Sequence, residues 1–161
     1  EDLIRRHDDV ILYRAAYGQA LAKAGDVPGA LRSLETAMGL FPRNVPLTVR
    51  YAETLLLAGQ AERAHRVLLD LFNVVAPTPD QIRLTALAAN SAGDVADAYY
   101  YMSEYHIAGG DLMLAASQLQ MALGVPGALD AGANILGSCC GSTPDHTRAI
   151  REVVEKFNGS R

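Results

Sequence analysis

Three glycines at one fixed interval constrain this chain more than any other feature. Each closes an apolar helical pattern in the same way, as Ala24-Gly25-Asp26, Ala58-Gly59-Gln60 and Ala92-Gly93-Asp94, and each follows the one before by 34 residues. A period of that length marks one supersecondary unit repeated along the chain. Glycine ends a helix and permits a tight reversal that a Cβ would obstruct. Small residues such as Gly18, Ala30, Ala52 and Ala64 let two antiparallel helices approach closely, and Pro42 and Pro77 fall where a second helix must stop. The third copy departs from the stride. Gly109-Gly110-Asp111 comes only half a period after Gly93, so the segment from Val95 to Ala108 serves both as second helix of one unit and as first helix of the next. The pattern predicts seven helices, at about 10–24, 27–40, 46–58, 61–74, 80–92, 95–108 and 112–124.

The residues in register with the glycines carry a family resemblance. Tyr17-Gly18, Leu21, Gly25, Ala30, Leu34, Ala37 and Pro42 resemble one tetratricopeptide repeat. Tyr51-Ala52, Leu55, Gly59, Ala64, Leu68 and Leu71 resemble a second at the same offsets, with Pro77 one place late. The resemblance implies an all-α fold, a tetratricopeptide-repeat α-solenoid of about seven helices with a C-terminal appended helix. Residues 1–127 are expected to form the repeat domain and 128–161 an unrelated tail. In such an array each hairpin buries its apolar face only by stacking on its neighbours.

Composition excludes several functions. The balance of 14 basic and 18 acidic residues lacks the clustered Lys and Arg of a nucleic-acid surface. No apolar run reaches the roughly 20 residues that span a bilayer. No G-x-S-x-G nucleophile turn and no phosphate-loop lysine occur, so no cofactor is expected from motifs of these kinds. Asp8-Asp9 and Asp94 with Asp97 sit near helix starts, where the helix dipole accounts for them. What remains is a binding surface for another protein. Repeat geometry puts Gln19, Ala22 and Lys23 of the first unit on the groove side, with Val49, Glu53, Leu56 and Leu57 of the second and Arg83, Leu87, Asn90 and Ser91 of the third. With only Lys23 and Arg83 positive, this set suits an extended or helical segment held by apolar contacts. The competing reading makes each of them a solvated or core position. Tyr99, Tyr100 and Tyr101 spread around a helix, so at least one is expected to be exposed as an interface anchor. Alternatively, two pack between helices and the third lies flat on the surface.

The run from Ala98 through Tyr99-Tyr100-Tyr101-Met102-Ser103-Glu104-Tyr105-His106, with Gly110-Asp111, Ala115, Gln118-Leu119 and Ala122-Leu123, resembles the C-terminal repeat domain of periplasmic zinc metalloproteases of the β-barrel assembly-enhancing type. That resemblance implies a periplasmic location, and a cytoplasmic one without it. It also implies barrel-assembly machinery or its substrates as partners, and a non-catalytic arm, since the family's H-E-x-x-H zinc motif is absent and His7, His65, His106 and His146 have no partner at that spacing. The alternatives are a generic repeat scaffold or a fragment of a second family, to which the tail points.

In the tail, Ala131 to Gly137 reads as a short strand, Ser138 to Ser142 as a loop, and Thr143-Pro144-Asp145 as a helix start before an apolar stripe of Ile150, Val153, Val154 and Phe157. Residues 132–151 resemble the last strand, loop and helix of homocysteine S-methyltransferases. The resemblance implies that Cys139 and Cys140 stand for two of three thiolates on a zinc ion, with no third cysteine in this chain and His146 as the one conceivable further ligand. A fusion or chimeric reading frame, or a coincidence reinforced by helix-cap chemistry, explains a tail of this kind. It either lacks a fold of its own or docks a helix on the end of the array.

Overall fold

The computed structural model describes residues 11–126. Within them lie seven helices and no strand: α1 (Ile11–Lys23), α2 (Val27–Leu40), α3 (Val45–Leu57), α4 (Ala61–Phe72), α5 (Pro79–Ala92), α6 (Val95–Ala108) and α7 (Leu112–Gly124). They divide after Val74 into two compact units, one holding α1 to α4 and the other α5 to α7.

The glycine turns repeat a single set of hydrogen bonds. Gly25 N–H donates to Ala22 O at 3.1 Å and Asp26 N–H to Leu21 O at 3.0 Å. The same pair recurs at Gly59 and Gln60 with Leu56 and Leu55, at Gly93 and Asp94 with Asn90 and Ala89, and at Gly110 and Asp111 with Ile107 and His106. All four glycines have positive φ, between 71° and 87°. This is the Schellman closure, in which a left-handed residue turns the last carbonyls of one helix toward the next two amides. The aspartate that follows then caps the next helix. Asp26 accepts from Gly29 N–H at 2.9 Å, Asp94 from Asp97 at 3.2 Å and Asp111 from Leu114 at 3.0 Å. Three residues thus end one helix and start another, including at the half-period break before α7.

The other helix boundaries have other causes. α3 starts at Asn44, whose side chain accepts from Leu47 N–H at 3.2 Å, and the expected stop at Pro42 holds, with α2 ending at Leu40. α4 ends at Phe72, well before Pro77, so proline is not what stops it. Ahead of α5, Gln81 reaches back to accept from Thr78 N–H at 2.9 Å.

In the first unit, α1 packs on α2 and also on α3, α2 packs on α3, and α3 on α4. Leu34, Leu47, Leu55 and Leu68 are sealed from solvent between them, with Ala30, Ala37, Ala52 and Ala64 at the close approaches. Gly18 of α1 is one such approach. A Cβ there would lie 2.5 Å from Leu34 Cγ, too near for any carbon. In the second unit α5 and α7 both pack on α6. Ile107, Ala115, Leu119 and Leu123 form the α6–α7 core, and Tyr100 and Ala116 pack against it. The expected strand at 131–137, the appended helix and the domain boundary at 127 fall outside the described residues.

Candidate partner-binding surface

The side chains expected to form a groove occupy matching places in each copy. Gln19, Glu53 and Leu87 stand six residues before the turn glycine; Ala22, Leu56 and Asn90 stand three before; Lys23, Leu57 and Ser91 stand two before. None of the nine is buried. Lys23, Leu57, Leu87, Asn90 and Ser91 are exposed and the others half-buried, whereas Leu55 and Ala89 beside them are sealed from solvent and Leu21, their counterpart in the first unit, is half-buried. The same rotation of each first helix therefore leaves the same three offsets open, and none of these residues is a core position. Val49 is half-buried and Arg83 exposed.

In the first unit α1 and α3 pack side by side, so Gln19, Ala22 and Lys23 belong to the same pair of first helices as Glu53, Leu56 and Leu57. Leu57 is 68% exposed at the end of α3. Glu53 is already engaged. Arg50, one turn earlier, donates to its carboxylate at 2.9 Å, with both side chains about two-fifths exposed. The surface thus carries a guanidinium that the repeat offsets did not select, and its acidic residue is neutralised locally. The signal was available as an Arg–Glu pair at i, i+3 on a helix. In the second unit, Arg83, Leu87, Asn90 and Ser91 line the accessible side of α5, with Leu87 54% exposed.

The tyrosines depart from expectation. Tyr99, Tyr100 and Tyr101 are all half-buried, so none stands free as an exposed anchor. Tyr100 packs against the α6–α7 core and meets the Tyr101 ring edge-on at a centroid distance of 5.2 Å. The reason lies in the double duty of α6. Counting back from Gly110 by the groove offsets gives Glu104 and Ile107, and both are buried. With neighbours on two sides, α6 has little free face left to present.

A polar cluster that sequence reasoning missed braces the first unit. The Tyr51 hydroxyl of α3 donates to Glu35 of α2 at 3.2 Å and accepts from Arg63 of α4 at 2.8 Å. Arg63 also reaches Glu35 at 3.3 Å and Gln60 at 2.6 Å. Gln60 stands where the other turns have a capping aspartate, makes no side-chain cap, and instead holds this guanidinium. Burial, together with the neighbouring Glu35 carboxylate, raises the Tyr51 phenol above its ordinary pKa, against the opposing pull of Arg63. These groups hold three helices in register, and their partners are one another. No helix among the described residues is long and apolar enough to cross a membrane.

Two family models match the chain. One, described as Tetratricopeptide repeat, matches residues 21–90, the stretch that carries the first two of the four glycine turns. The other, described as Homocysteine S-methyltransferase, matches residues 61–154, more than half of the chain, and shares 61–90 with the first. Where the second match falls on described residues it covers α4 to α7, all helical. Its remainder includes Cys139, Cys140 and His146, which lie outside the described residues. Of the three thiolates that the sequence resemblance implies, these residues supply two, Cys139 and Cys140.

Proposed function

That the chain belongs to the homocysteine S-methyltransferase family, by a match over more than half its length, and carries tetratricopeptide repeats over residues 21–90, is the premise from which we propose that residues 11–126 work as a protein-binding module without chemistry of their own. One observation carries this reading. At three offsets from Gly25, Gly59 and Gly93, the first helices leave side chains accessible, and the set is mixed, with apolar Leu56, Leu57 and Leu87 among polar Gln19, Lys23, Arg83 and Asn90. Within each unit, accessible leucines beside polar groups suit an extended or helical segment of another protein, held by apolar contact and oriented by the polar groups around it.

The finer reading is that the module is the non-catalytic repeat arm of a periplasmic zinc metalloprotease, and that its partners are barrel-assembly machinery or its substrates. The run from Ala98 to His106 and the half-period spacing of Gly110 support it. The test is binding of the purified chain to solubilised barrel-assembly complex, beside the variants Leu57→Glu and Leu87→Glu. Burying one leucine contributes on the order of 2 kcal/mol, so each variant is expected to weaken binding by tenfold or more. Binding that neither substitution changes would place the contact elsewhere. No binding to that complex alongside tight capture of a cytosolic protein would remove the periplasmic assignment.

The extent of the methyltransferase match supports a second reading, in which the chain is a fragment of such an enzyme with zinc at Cys139 and Cys140. Metal analysis of the purified chain decides it. Zinc well below one equivalent, with no methyl transfer to homocysteine, eliminates that reading.

A further inference from the structure

The charges of the repeats are sorted by helix. The first helices of the hairpins, α1, α3 and α5, carry Arg14, Lys23, Arg50 and Arg83 against Glu53 and Asp80. The second helices α2, α4 and α6 lean the other way, with Glu35, Glu62, Asp70, Asp97 and Glu104 against Arg32, Arg63 and Arg66. The basic excess therefore falls on the helices that present the accessible offsets, in a chain whose net charge is −4. Both acids on those helices are accounted for locally. Glu53 is held by Arg50 at 2.9 Å. Asp80 lies in the first turn of α5, where the helix N-terminus stabilises it. Lys23 and Arg83 are exposed and join no ion pair among the described residues.

Each of these two cations stands near an exposed leucine of its own unit. Arg83 and Leu87 lie one turn apart on α5, about 6 Å along its axis. Lys23 and Leu57 hold the same repeat offset on α1 and α3, which pack side by side, so about one interhelical distance of 8–10 Å separates them. Alternate side chains of an extended segment point the same way about 6.6 Å apart. A carboxylate two residues from an apolar side chain thus matches the Arg83–Leu87 spacing, and the flexible stem of Lys23 closes the wider gap in the first unit. A neutral segment laid there would take water from the cation without replacing it, and a basic one would add repulsion.

We propose that the segment each unit takes is acidic as well as apolar. A side-chain carboxylate of the partner pairs with Lys23 in the first unit and with Arg83 in the second, while a neighbouring apolar side chain rests on Leu57 or Leu87. This rests on the reading of residues 11–126 as a protein-binding module and adds the charge of what is bound. The experiment is fluorescence anisotropy of the full chain with three end-blocked peptides, repeating Leu-Ser-Asp-Ser, Leu-Ser-Asn-Ser or Leu-Ser-Lys-Ser. The Asp peptide is expected to bind about fivefold more tightly than the Asn peptide, and the Lys peptide more weakly than either. Raising NaCl from about 0.05 to about 0.5 M is expected to erase the difference. In the double variant Lys23→Gln/Arg83→Gln, which alters two exposed side chains and no core position, the Asp and Asn peptides are expected to bind alike. Equal binding of those two peptides to the parent chain overturns the proposal and leaves the binding-module reading in place. A preference for Asp that survives the double variant also overturns it, because the carboxylate then sits elsewhere. So does an Asn peptide with a free C-terminal carboxylate that binds more tightly than the blocked Asp peptide, which would make a chain end the ligand. Failure of all three peptides overturns it as well, whereas the module reading is decided separately by the barrel-assembly complex.

Discussion

The bulkiest side chains sealed from solvent in the first unit are Leu34, Leu47, Leu55 and Leu68, whereas in the second Leu119 shares that rank with Thr85 and Ser103. The turns of the two units are alike to the hydrogen bond, so the difference lies in what fills the space between helices. The first unit uses leucine against alanine and adds the Glu35–Tyr51–Arg63 brace across three helices. The second brings helices together over small residues, and satisfies its buried hydroxyls on their own helix. Thr85 donates to Gln81 O at 3.0 Å and Ser103 to Tyr100 O at 2.6 Å. Beside the nearly buried Ile82, Ile107 and Leu123, further bulk sits at the margin in half-buried tyrosines of α6. A repeat period therefore fixes where the chain turns and which face is inward, while the chemistry of the interior is free to vary from unit to unit.

The largest expected effect follows directly. Leu55→Ala removes a fully buried side chain and is expected to cost about 2–5 kcal/mol. Thr85→Ala removes less volume and one helix-internal hydrogen bond, and is expected to cost about 1 kcal/mol. Hydrogen exchange read separately in α1 to α4 and in α5 to α7 checks both. Equal losses at the two positions would mean that the second interior is as volume-dependent as the first.

Gly18 sharpens the contrast within one repeat position. The equivalent residues one and two periods on are Ala52 and Ala86, both buried and accommodated. At Gly18 the Leu34 side chain already occupies the space a Cβ would take. Overpacking costs about 1–3 kcal/mol, against a gain of about 1 kcal/mol for replacing a helical glycine. Because Leu34 is sealed on all sides it has nowhere to go, so Gly18→Ala is expected to destabilise by about 1 kcal/mol in thermal unfolding. Gly39→Ala, on the same unit's α2 with open space around it, is expected to stabilise by about 0.5–1 kcal/mol. Reversal of those two signs would show that Leu34 can move.

What the sequence made legible was whatever depends on neighbours along the chain. Gly25, Gly59, Gly93 and Gly110 announce their turns because only glycine sits easily at positive φ, and Asp26, Asp94 and Asp111 announce caps because their partners are three residues away. Helix ends therefore follow from sequence to within two residues. The three accessible offsets before Gly25, Gly59 and Gly93 follow from the same rotation. Contacts made across the fold were not legible. Nothing near Arg63 says that it meets Tyr51, twelve residues earlier, and Glu35, twenty-eight earlier. The Tyr99–Tyr101 run was misleading for a related reason, since helical geometry spreads three rings but does not say that α6 has neighbours on two sides.

The brace and the hydroxyls offer two tests of about 1 kcal/mol with opposite sign. Tyr51→Phe keeps the ring and removes the hydroxyl that bonds both Glu35 and Arg63, and is expected to cost about 1 kcal/mol. The raised phenol also sets a pH dependence. Its folded pKa lies above the unfolded value near 10, so the protonated hydroxyl contributes stability in full below that value. The contribution is lost as pH rises through the folded pKa. Alkaline unfolding of the parent chain is thus expected to steepen above about pH 10, and Tyr51→Phe to flatten it; parallel curves would dismiss the brace as an energetic feature. Thr48 of the same unit goes the other way. Its hydroxyl is buried with no hydrogen-bond partner, so Thr48→Val is expected to gain about 1 kcal/mol, while Thr85→Val in the second unit loses a bonded hydroxyl and gains nothing.

The smallest effect concerns the one connection in the first unit that lacks a glycine turn. Arg43, between α2 and α3, has a φ of 60°, the only positive value outside glycine among the described residues. A side chain there costs about 1 kcal/mol in strain, which Arg43→Gly would relieve. Glycine also loosens the unfolded chain, which takes back about 0.4–1 kcal/mol. The two terms nearly cancel, so Arg43→Gly is expected to change stability by no more than a few tenths of a kcal/mol. Arg43→Asn tolerates the left-handed region without that entropy loss and is expected to gain slightly more. If both variants instead lose 1 kcal/mol or more in denaturant titration, the arginine side chain is holding the α2–α3 connection by contact, and this turn is unlike the four glycine turns in energetics as well as in sequence.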